Sequence, residues 1–240
     1  MILWQESSHV EARLLSGLIV WPQARLLREK EIMSLLDRFI NREPKTEAPA
    51  GGTKAVRDDV AAEHYRTGVE LVGEGLYEEA LEEFKRAADY QQDNVDAHYD
   101  MGMVYDMLGR YEDSIRAYTQ AISINPDFVD AYNNLGIAYA KTGQHLESIK
   151  AYMRAIRIKP DYVEALNNLG VLYYERGTYT EAMRACKRAI RIKPDYARAH
   201  YSLGLVYIDL KDKESAMEEY ETLKTLDGMM ADELLHNIPQ

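Results

Sequence analysis

The sequence predicts an all-α solenoid: five helix-turn-helix units over residues 61–230, closed by a C-terminal capping helix over 231–240. Two observations carry the prediction. Val129 to Gly136 returns in kind at Val163 to Gly170, and Arg154 to Tyr162 returns letter for letter at Arg188 to Tyr196, both at an offset of 34 residues. Extending that offset outward then places a glycine at the eighth position of all five units, at Gly68, Gly102, Gly136, Gly170 and Gly204. A fixed period of this length belongs to stacked helical units, each too small to bury its own apolar face without neighbours.

Residues 1–32 precede the array and keep neither a helical nor an alternating apolar period around Trp4, Leu14, Ile19 and Trp21. The codons for Arg28 to Glu31 must be purine-rich, as a ribosome-binding site before Met33 would be. Residues 1–32 are therefore expected to be either non-native upstream sequence or a mobile extension. From Met33, Leu35, Leu36, Phe39 and Ile40 fall on one face of a short amphipathic helix over 33–43. Residues 44–60, with Pro44, Pro49, Gly51 and Gly52, read as a linker, and Asp58 and Asp59 offer caps for the first array helix.

The units span 61–94, 95–128, 129–162, 163–196 and 197–230. Gly75, Gly109, Gly143 and Gly177 close the first helix of each pair. Pro126, Pro160 and Pro194 stop second helices, because proline disfavours helical geometry in the residue before it. The small residues Ala80, Ser114, Ser148, Ala182 and Ala216 mark a close helix crossing, followed four positions on by Phe84, Tyr118, Tyr152, Cys186 and Tyr220. Departures gather at the ends: Gln92 replaces the first proline, and Lys211, Leu223 and Gly228 replace the turn glycine, small alanine and proline of the fifth unit. Atypical end units are expected of a stack that exposes one face to water. Met230, Leu234, Leu235 and Ile238 form the apolar stripe expected to cover the C-terminal end.

Composition narrows the function. A net charge of -11 argues against a nucleic-acid groove, which needs clustered cations, and makes a basic partner electrostatically easier. The single cysteine, Cys186, excludes an intramolecular disulfide and a cysteine metal cluster, and fits a reducing, cytoplasmic setting. The run Leu14 to Trp21 is too short to span a bilayer. No phosphate-binding glycine loop, zinc spacing or nucleophile elbow is present, so no cofactor, metal or catalytic residue is expected. His64, His98 and His200 share a position with Tyr132 and Leu166 and read as packing residues.

The eighth-position glycines, with Tyr105, Tyr139, Tyr173 and Tyr207 three positions on, the small second-helix residues and the closing prolines together resemble the tetratricopeptide repeat family. The resemblance covers residues 61–230. It implies a right-handed superhelix, with first-helix positions lining a concave groove that holds a peptide or partner helix. Carried onto this chain, the fifth position gives Tyr65, Tyr99, Asn133, Asn167 and Tyr201. The sixth includes Asp100, Asn134 and Asn168, and the ninth Met103, Ile137, Val171 and Leu205. The implied role is a non-enzymatic scaffold, adaptor or co-chaperone binding protein or peptide. Anchoring to a membrane through residues 33–43 is the alternative.

Two narrower likenesses follow. Asn134 and Asn168 resemble two rungs of the asparagine ladder in O-linked N-acetylglucosamine transferase, without any catalytic domain. The carboxylate clamp of chaperone-binding relatives would fall on Tyr99, Met103, Asn134, Glu164 and Asn168, where its cations are missing. Outside the groove, Arg154, Arg157, Lys159, Arg184, Lys187, Arg188 and Arg191 make the second helices of the third and fourth units basic. An acidic partner is the sharper expectation there, and a solvated face the plainer one.

Overall fold

The computed structural model describes residues 53–239. Expectations for residues 1–52, including the amphipathic helix over 33–43 and the possible anchor, lie outside the described residues. Eleven helices and no strand occur among the described residues. They are α1 (Thr53–Gly73), α2 (Tyr77–Tyr90), α3 (Val95–Met107), α4 (Tyr111–Ile124), α5 (Val129–Lys141), α6 (His145–Ile158), α7 (Val163–Glu175), α8 (Tyr179–Ile192), α9 (Ala197–Asp209), α10 (Lys213–Leu226) and α11 (Gly228–Asn237).

Odd-numbered helices α1 to α9 are the first helices of the five units, and α2 to α10 the second. Each packs on its own partner, and each second helix packs on the next first helix. From the second unit onward, consecutive first helices also touch one another more closely than consecutive second helices do. That difference bends the stack with the first helices on the inner side, giving the all-α superhelical solenoid.

The glycines explain how close the helices come. A Cβ on Gly136 would sit 2.5 Å from the Tyr152 ring, and one on Gly170 would sit 2.6 Å from the Cys186 sulfur. The second-helix aromatic therefore fills the space that glycine leaves, and Cys186 substitutes for it in the fourth unit. Gly204 departs from this pattern. Its crowding neighbour is Leu234 of α11, at 2.5 Å, rather than Tyr220 of its own unit.

Turns keep their geometry even where the residue changes. Gly75, Gly109, Gly143 and Gly177 have φ between 71° and 78°, and Lys211 holds the equivalent place at φ 63°. Second helices end on an extended residue before proline at Asn125, Lys159 and Lys193. Gln91 and Asp227 adopt the same extended conformation without a proline after them. Stacking thus imposes the turn, and proline reinforces it.

Two boundaries differ from the sequence reading. Residues 53–60, expected to be linker, are the first turns of α1, because no glycine or proline interrupts the chain between Gly52 and Gly68 and the composition favours helix. Asp58 and Asp59 consequently lie inside the helix and cap nothing. The C-terminal helix begins at Gly228 rather than residue 231, since Asp227 accepts hydrogen bonds from the backbone N–H groups of Met229 and Met230 at 3.1 and 3.2 Å. Its buried face is Ala231, Leu234 and Ile238; Leu235 is turned away and 41% exposed.

Candidate functional site

The first-helix face is built on a ladder of side-chain hydrogen bonds. The fifth position of each unit pairs with the sixth position of the next, 35 residues on. Tyr65 donates its hydroxyl to Asp100 Oδ2 at 2.6 Å. Asn134 donates from Nδ2 to the Tyr99 hydroxyl oxygen at 3.0 Å. Asn168 donates from Nδ2 to Asn133 Oδ1 at 3.0 Å, and Ser202 donates to Asn167 Oδ1 at 3.2 Å. The last rung passes to the terminal helix, where Tyr201 donates to Glu233 Oε1 at 2.6 Å. Successive junctions are therefore tied through the same positions with different chemistry.

This ladder divides the residues expected to contact a partner. Tyr99, Asp100, Met103, Asn133, Asn134 and Asn167 are buried, and the polar atoms among them serve the junctions between units. Tyr99 is further enclosed by the rings of Phe128 and Tyr118, with centroids 4.7 and 5.7 Å away. Tyr65, Ile137, Asn168, Val171, Tyr201 and Leu205 remain partly exposed on the same helices. Sequence reasoning put both sets on one face; it missed that one set faces into the stack.

Several acids of the inner face are also committed. Tyr162 donates to Asp130 Oδ1 at 2.5 Å, and Tyr118 donates to Asp106 Oδ2 at 2.7 Å. Burial raises the Asp106 carboxyl to about 6, against the opposing pull of its hydroxyl neighbours and Lys141. Its Oδ1 is buried with no hydrogen-bond partner. Glu164, partly exposed, and Glu175, exposed, lie on α7 nearer solvent.

Two histidines read as packing residues have polar partners. His64 Nδ1 lies 2.6 Å from Glu83 Oε2, and His200 Nδ1 lies 2.6 Å from Glu219 Oε2. Both pairs join a first helix to its own second helix across 19 residues, so the spacing was available to find them. His200 Nε2 also faces the Pro194 carbonyl at 2.8 Å. Hydrogen bonding to Glu219 raises the His200 pKa, partly offset by burial. These contacts brace the units. Cys186 is wholly buried, and burial pushes its thiol up to about 12, far from nucleophilic.

Sequence profiles described as TPR repeat match residues 68–109, 107–143, 141–177 and 171–211, and one described as tetratricopeptide repeat matches 197–228. The chain belongs to the tetratricopeptide repeat family. No curated protein matches it in sequence. Among solved structures, the crystal structure of MamA is similar to this tetratricopeptide array with a TM-score of 0.63 and 25% identity, covering 69% of this chain and 96% of its own. YrrB, described as a TPR protein with an unusual peptide-binding site, gives 0.60 at 21% identity, covering 76% and 97%. TTC0263, a thermophilic TPR protein from Thermus thermophilus, gives 0.58 at 20%, covering 74% and 98%.

Tetratricopeptide arrays are in general scaffolds for protein interaction, and that coarse role applies here. No helix among the described residues is long and apolar enough to cross a membrane.

Proposed function

We propose that this array is a non-catalytic scaffold, acting in complex assembly, that binds a segment of a partner protein along its first-helix face. The observation that carries the reading is the ladder. The rungs fix the spacing of α3, α5, α7 and α9, so the partly exposed side chains on and between them are held in place before a partner arrives. Preorganisation of this kind lowers the ordering cost of binding.

The proposed contacts are Ile137, Val171 and Leu205 as an apolar row, with Asn168 offering the amide groups that its one hydrogen bond to Asn133 leaves, and Tyr65 and Tyr201 giving contact area towards the ends. An amide suits an extended peptide because it both donates and accepts towards backbone groups of any sequence. Glu164 and Glu175 beside this row favour a segment that carries positive charge. The peptide-binding site ascribed to YrrB supports peptide recognition on this fold.

The test is affinity capture from the native cell with the unaltered chain and with Val171→Glu/Leu205→Glu. Both positions are partly exposed, so the variant should keep its helical circular dichroism while losing its captured partners. A folded variant that captures the same partners at the same yield refutes the proposed face.

A further inference from the structure

The outer side of the stack carries a second surface that the first-helix face does not explain. Between α6 and α8 runs a groove of about 470 Å³. Met153 and Ile156 of α6, together with Leu166 and Leu169 of α7, give it apolar walls, and Met153 is 49% exposed. Arg157, Arg184 and Arg188 stand around it, with Glu181 as the one carboxylate in the lining.

The three guanidinium groups are exposed, and none makes an ion pair within 4.0 Å among the described residues. Arg188 is partly fixed, donating one N–H to the Pro160 carbonyl at 2.7 Å. Its other donors remain for a ligand. Other second-helix cations are paired, Arg116 with Asp113, Lys150 with Glu147 and Arg154 with Asp127.

The arginine set is also local to one junction. One period earlier, the places of Met153, Arg157, Arg184 and Arg188 hold Thr119, Ser123, Lys150 and Arg154; one period later they hold Lys187, Arg191, Glu218 and Thr222. Repetition of the fold therefore does not account for this combination of apolar walls and three guanidinium groups without an ion pair.

We propose that this groove binds an acidic segment of a partner protein, with one large apolar side chain inserted between Met153 and Leu169 and flanking carboxylates gripped by Arg157, Arg184 and Arg188. Charge complementarity selects the occupant. A guanidinium fork matches a carboxylate with two parallel hydrogen bonds, while the apolar walls demand a side chain that an inorganic anion lacks. This surface is separate from the first-helix face and stands or falls independently of it.

The experiment is selection of a random peptide library displayed on phage against the full chain, followed by binding of the synthetic enriched peptides. The expected sequences place Asp or Glu on both sides of a large apolar residue. Arg157→Glu/Arg188→Glu should weaken them by about tenfold or more, while the charge-matched variant Arg57→Glu/Lys213→Glu, at exposed positions outside the groove, leaves affinity nearly unchanged. Replacing the apolar residue of the peptide with serine should weaken binding comparably. No enrichment, enrichment of neutral or basic peptides, equal loss in both charge variants, or full displacement by inorganic phosphate would each overturn the proposal. Circular dichroism of both variants separates lost binding from lost fold.

Discussion

Asn134 donates a hydrogen bond to the hydroxyl of Tyr99, one unit away, and both residues are buried. A residue at a groove position is thereby a fastening between neighbouring units. Removing the amide leaves a buried phenol without this partner, and the helices cannot close the gap without shifting the stack. Asn134→Ala should therefore cost about 1–2 kcal/mol of stability, measured by urea unfolding. The Asn133 and Asn168 pair should show a coupling of about 0.5–1 kcal/mol in a double-mutant cycle. Additive single effects would mean that the 3.0 Å contact does not hold the junction.

Lys211 sits where four other units use glycine, at φ 63°. A side chain in the left-handed region costs about 1 kcal/mol, and the lysine side chain is exposed at this turn. Lys211→Gly is expected to raise the unfolding free energy by about 0.5–1 kcal/mol. A loss of stability on urea unfolding would show that the lysine side chain contributes something the turn geometry does not reveal.

Asp106 imposes a pH dependence. Because burial raises its folded pKa to about 6, the folded protein keeps this proton over a range in which the unfolded chain has released it. Stability from this group is therefore present below the ordinary carboxylate value and falls as pH rises through about 6. Asp106→Asn can still accept the Tyr118 hydroxyl, so it should stabilise the protein on the order of 1–2 kcal/mol at neutral pH and have little effect near pH 4. Urea unfolding across that pH range decides it, and an equal effect at both ends would contradict the assignment.

Leu234 closes the C-terminal end by filling the space over Gly204. It is fully buried, as are Ala231 and Leu223 around it. Leu234→Ala should cost about 2–4 kcal/mol, while Leu235→Ala, one residue on and exposed, should cost little. Thermal unfolding of the two variants side by side checks the orientation of α11.

These residues also show how far the sequence could be read. The five units were legible because a 34-residue period repeats the packing requirements: glycine under a ring, a small residue at the crossing, a turn after each first helix. Cys186 stands in a slot that is aromatic in the other units, and it is buried there like Phe84, Tyr118 and Tyr152. The start of α1 at Thr53 was missed because the turns before the first unit carry no repeat signature and Asp58 and Asp59 look like caps in isolation. The ladder was hidden for a different reason. Its rungs are Tyr–Asp, Tyr–Asn, Asn–Asn and Asn–Ser, so only the 35-residue spacing is constant, and residue type alone suggested ligand contact. Leu234 replacing Tyr220 over Gly204 was hidden too, because the capping helix lies outside the period.

Labour is divided within the first helices: the rungs set the spacing, and the side chains left partly exposed, Tyr65, Asn168 and Tyr201 of the rungs included, receive the proposed partner. Hydrogen–deuterium exchange of the array, alone and with a captured native partner, tests this division most directly. Slowed exchange should appear in α5, α7 and α9 on binding, with α6 and α8 unchanged. Protection confined to α6 and α8, with the first helices exchanging as they do in the free protein, would contradict it.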